Sequence, residues 1–129
     1  MDPVKVLQRA YQDELLDALR AEGAAQGVPY PHVRALLLEV ARRERAHAEA
    51  LAEALRRRGA PLPPTPKPEE GGWETLLRLL SEEGLDRAYD LERTFPDPEL
   101  EALFTRLGQE ERLNQEAVRK AVMLIGGGL

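Results

Sequence analysis

Glu44-Arg45-Ala46-His47 and Glu111-Arg112-Leu113-Asn114 hold matching places in two segments that repeat each other, Val33 to Leu55 aligning with Leu100 to Val122 without a gap. In that register Glu44 falls on Glu111, Arg45 on Arg112, His47 on Asn114, Glu49 on Glu116 and Ala50 on Ala117. A carboxylate and an imidazole three residues apart on a helix project the same way, so they can share one metal ion. The first copy, E-x-x-H, is such a ligand pair. The second, E-x-x-N, carries a neutral amide where the imidazole would recur. The repeat predicts a pseudo-twofold helical bundle around one site, half of which has been altered.

The acids stand where helical periodicity demands apolar residues. One stripe runs Val33, Leu37, Val40, Glu44, His47, Leu51 and Ala54; another runs Leu100, Phe104, Leu107, Glu111, Asn114, Val118 and Ala121. Val4, Leu7, Tyr11, Glu14 and Ala18 follow the same spacing near the N-terminus. An ionised carboxylate in a bundle core costs several kcal/mol unless it is compensated. A pair of divalent cations would neutralise four of them. A weaker repeat places Glu14 on Glu83, Leu7 on Leu76 and Asp17 on Asp86, so the whole chain reads as a duplicated helical hairpin. That repeat selects Glu83 over its neighbour Glu82, although the local apolar stripe passes beside Glu83.

Four helices must position these groups, in a chain rich in Ala, Leu, Glu and Arg and without a β-branched run long enough for a strand. They are expected over about Pro3 to Glu22, His32 to Arg58, Trp73 to Thr94 and Glu99 to Ile125, within one domain covering 1–129. Gly23 to Gly27 ends the first, Gly59 the second and Pro96-Asp97-Pro98 separates the last two. The 59–72 stretch holds Pro61, Pro63, Pro64, Pro66 and Pro68, which fit neither helix nor central strand. In extended polyproline geometry it can travel the length of a helix. Short loop, long crossover, short loop predicts two antiparallel hairpins joined along the bundle, an all-α four-helix fold.

Ala10-Tyr11-Gln12-Asp13-Glu14 resembles the first-helix motif of rubrerythrin-type ferritin-like proteins, and Val40 through Glu49 (VARRERAHAE) closely resembles their second-helix motif. Leu103 through Glu111 (LFTRLGQEE) is similar to their fourth-helix lead-in. The resemblance covers nearly the whole chain and implies a di-iron or di-manganese carboxylate bundle that uses dioxygen or peroxide. By position it implies Glu14, Glu44, His47, Glu83 and Glu111 as ligands. Asn114 stands where the second histidine belongs. Rubrerythrins proper also carry a cysteine-rich electron-transfer module, whose chemistry this cysteine-free sequence does not hold. What remains open is a five-ligand site with one weaker position, a single-metal site or a vestige.

Composition narrows the classes further. Without cysteine there is no disulfide, zinc-thiolate site, iron–sulfur cluster or thiol nucleophile, which fits a reducing cytoplasm. A net charge of −5 argues against nucleic acid as partner, and no apolar run is long enough to span a membrane. Ser81, the only serine, has no motif around it, and no Gly-rich phosphate loop is present. Tyr11 has core spacing, His32 begins a helix, and the Arg42-Arg43-Glu44-Arg45 and Arg56–Arg58 runs read as solvated face and dipole complement. Small ferritin-like chains often pair, so a homodimer or higher homo-oligomer is expected. Three functional readings stand: an iron- or manganese-binding protein with redox chemistry on dioxygen or peroxide, a vestigial bundle serving as a dimerisation or interaction module without metal, or a metal-binding protein without turnover, such as an iron carrier. On the second reading Glu44 and His47 form a buried ion pair and Asn114 is a core amide bonding Glu44 or Glu14.

Overall fold

The computed structural model describes residues 2–91 and 97–126, and the side chains of these apart from 83–91. Four helices follow one another: α1 (Pro3–Gly27), α2 (Pro31–Arg57), α3 (Trp73–Leu91) and α4 (Pro98–Leu124). α1 and α4 begin alike, on an Asp-Pro pair. Asp2 accepts from the Val4 amide at 3.0 Å and Asp97 from the Glu99 amide at 2.9 Å, while Pro3 and Pro98 occupy first-turn positions that need no donor. α2 closes on Gly59 at φ +65°, with the Gly59 amide on the Arg56 carbonyl and the Ala60 amide on that of Leu55. This double closure needs a left-handed residue, which is why glycine stands there.

α1 continues to Gly27, past the glycines expected to stop it at Glu22. The reason lies in α3. A Cβ on Gly23 would sit 2.8 Å from Leu76 Cδ1, and one on Gly27 3.3 Å from Trp73 Cδ1. These glycines let α3 approach, and Ala24, Ala25 and Val28 are buried around them. Burial there outweighs a helix-propensity cost of about 1 kcal/mol per glycine. Arg34 then ties the hairpin, donating to the carbonyls of Ala25 (3.1 Å) and Val28 (3.0 Å). The expected end of α3 at Thr94 lies outside the described residues.

α1 packs on α2 and α3, and α4 on the same two helices. One apolar cluster joins the end of α1 to the starts of α2 and α3 and the end of α4 through Ala24, Leu37, Leu77 and Ala121. A second joins the opposite ends through Leu7, Leu51, Leu55, Phe104 and Leu107. The directions are therefore up, down, down, up, and the crossover runs the length of the bundle, as in ferritin-like folds. Between the two clusters lies a level of buried polar residues: Glu14, Glu44, His47, Glu111 and Asn114.

The crossover is tied along α1. Gln8 donates to the Pro61 carbonyl at 3.0 Å, Gln12 to that of Pro64 at 3.1 Å, and Arg20 Nε to Glu69 Oε2 at 2.8 Å. Arg20 is itself buried and bonds Asp17 at 3.2 Å. Its guanidinium holds the Glu69 carboxyl down at about 2. Arg20→Ala should cost about 3 kcal/mol in chemical denaturation, because it leaves Asp17 buried without that cation. Glu69→Ala should cost less than about 1 kcal/mol, since Glu69 is exposed. Equal costs would contradict this account of the strap.

Candidate metal centre

Glu14 comes from α1, Glu44 and His47 from one face of α2, and Glu111 from α4, and each is at most 2 % exposed. One ligand atom from each lies within 4.8 Å of all the others. His47 Nδ1 is nearly equidistant from three carboxylates, at 3.6 Å from Glu111 Oε2, 3.7 Å from Glu14 Oε2 and 3.8 Å from Glu44 Oε1. That spacing leaves room for a cation among the four groups and is too long for hydrogen bonds between them.

Among the described residues, neither oxygen of Glu14 has a hydrogen-bond partner, nor has Glu44 Oε2, nor His47 Nδ1. Buried polar atoms are nearly always satisfied, so four orphans aimed at one point call for a ligand. Burial, then the neighbouring Glu14 and Glu111 carboxylates, push the Glu44 carboxyl well above its ordinary range. For His47, burial pulls the pKa down, but the carboxylates of Glu111, Glu14 and Glu110 outweigh it and hold the imidazole up at about 10. Three carboxylates and one imidazole make a mainly hard, oxygen-rich donor set, which suits iron or manganese.

The ring is oriented from outside. His47 Nε2 lies 2.9 Å from Glu110 Oε1. An ionised carboxylate only accepts, so the Nε2 proton points to Glu110 and Nδ1 faces the cluster. Glu110 escaped the sequence reading because it lies beside the repeat's marked acid rather than on the apolar stripe. Its signal was its place one residue before Glu111.

Asn114 is buried beside the cluster but turns its amide nitrogen inward, donating to Glu44 Oε1, while Arg43 NH1 donates to its oxygen at 2.7 Å. As placed, the oxygen that could serve as a ligand faces Arg43. Arg43, expected on the solvated face, is half-buried and also pairs with Glu39 at 3.6 Å. Glu82 is exposed, and the side chain of Glu83 lies outside the described residues. Tyr11 is half-buried against the second apolar cluster, and His32 is exposed. Of the terminal arginines of α2, Arg58 pairs with Asp97, and Arg57 with Glu99 at 2.8 Å, joining α2 to the start of α4.

No helix among the described residues is long and apolar enough to cross a membrane. No curated protein and no solved structure matches the chain. A buried carboxylate–histidine cluster at mid-height of an up-down-down-up bundle accords with the family model described as Rubrerythrin, which matches residues 5–122; the chain belongs to the rubrerythrin family.

Proposed function

We propose that this chain binds iron or manganese between its helices and turns over dioxygen or peroxide there. The observation that carries the proposal is the pair of Glu14 oxygens, wholly buried and without hydrogen-bond partners among the described residues, clustered with Glu44, His47 and Glu111. Glu14, Glu44, His47 and Glu111 would hold the ion. A bound iron or manganese ion supplies one-electron redox chemistry toward dioxygen or peroxide. The chain's own part is to hold the donors. Glu110 takes the His47 Nε2 proton, so that Nδ1 faces the site, and the Asn114 amide engages Glu44 Oε1, while Oε2 has no hydrogen-bond partner among the described residues. The apolar clusters above and below keep bulk water from the level between them.

The test is consumption of hydrogen peroxide, and of dioxygen, by protein loaded anaerobically with ferrous iron. Turnover should fall at least about tenfold in Glu44→Ala, with iron content falling alongside. Iron that binds stoichiometrically yet consumes neither oxidant would contradict the redox part and leave a metal carrier.

A further inference from the structure

The same repeat pairs Arg43 with Glu110, each one residue before the repeat's marked acid. The two half-sites then prove to be built with opposite polarity. In one, Glu110 stands outside His47 and accepts from Nε2, so the nitrogen that can give up its proton to a metal, Nδ1, faces inward. In the other, Arg43 stands outside Asn114 and donates at 2.7 Å. A guanidinium has no acceptor, so the atom it meets on Asn114 must be the oxygen, and the NH2 group must face inward. It does so, on Glu44 Oε1. The orientation follows from the donor-only chemistry of Arg43.

We propose that the Arg43–Asn114 pair closes the repeat-related second position to a cation, so that this centre holds one metal ion, with Arg43 as the positioning residue that locks the amide. An N–H donor aimed into the site repels a cation and occupies a Glu44 oxygen that a second ion would need. His47 with Glu110 makes a ligand; Asn114 with Arg43 makes its inverse. Glu39, 3.6 Å from Arg43, helps keep the guanidinium in place.

The inference rests on the metal-binding reading and sharpens it. Restoring histidine at 114 alone does not restore the second position. Beside Arg43, the outer ring nitrogen of a histidine at 114 would have to accept, placing its proton on the nitrogen that faces the site. The outer partner must become an acceptor as well.

The experiment is titration with manganous ion alone, counting bound ion per chain by electron paramagnetic resonance. Wild type and Asn114→His should each bind about one equivalent, and Arg43→Glu combined with Asn114→His about two. If the doubly charged change prevents folding, Arg43→Gln with Asn114→His makes the same test, because an amide oxygen also accepts. Two equivalents in wild type or in Asn114→His would overturn the inference and leave the metal-binding reading intact. A folded double variant that stays at one equivalent would also overturn it. No binding by any of these proteins would overturn the metal-binding reading and this inference together.

Discussion

Glu14→Leu should abolish metal binding and, at the same time, make the metal-free protein more stable. Glu14 is wholly buried, and among the described residues neither of its carboxylate oxygens has a hydrogen-bond partner. Its charge also raises the pKa of Glu44, so the fold bears its repulsion as well as its desolvation. Replacing a buried carboxylate crowded by other carboxylates with an apolar side chain of similar length is often stabilising, by about 1–3 kcal/mol, or roughly 3–10 °C in Tm for a chain of this size. One favourable contact is lost, that with His47 at 3.7 Å, but the carboxylates of Glu44, Glu111 and Glu110 remain around the ring. The loaded wild type should recover the difference, because an ion that binds only the native state stabilises it. Denaturation of both proteins, with and without ferrous iron, checks both signs. A carboxylate serving the fold would give the opposite pattern, with the variant less stable in the absence of metal.

The second large effect is on pH. His47 is held at about 10 against an ordinary 6.5, and Glu44 is raised well above 4.5. Both native groups bind protons more tightly than their unfolded counterparts. The His47 contribution is thus complete below pH 6.5 and is lost as pH rises toward 10. That of Glu44 is lost from 4.5 upward. The metal-free protein should therefore lose stability steadily from pH 6 to pH 9. Metal binding has to displace those same protons, so affinity should rise about tenfold per pH unit for each proton released. The Tm increment given by metal should widen over the range in which the metal-free Tm falls. Parallel pH curves with and without metal would contradict the assignment of His47 and Glu44 to the site.

Much of the architecture was legible because it rests on local chemistry. Asp-Pro starts, a left-handed Gly59 and the proline-rich 61–68 run mark helix ends and crossover regardless of tertiary context. Charged residues at apolar positions of the period pointed to Glu14, Glu44, His47 and Glu111, which the structure brings together. The end of α1 was misread because Gly23 and Gly27 act through what touches them, Leu76 and Trp73, and contact is invisible along the chain. The strap was not legible for the same reason: that Gln8, Gln12 and Arg20 meet the crossover depends on its path over α1. Asn114 shows a subtler limit. Its position was plain from the repeat, but an amide can face a site with either end, and Arg43 decides which.

Whether this cluster holds metal is decided by elemental analysis of protein purified without chelator. About one equivalent of iron or manganese per chain is expected, absent from Glu14→Leu. No metal in the wild type, persisting after ferrous iron is offered anaerobically, would contradict that expectation and leave a bundle that keeps the family's fold without its ion.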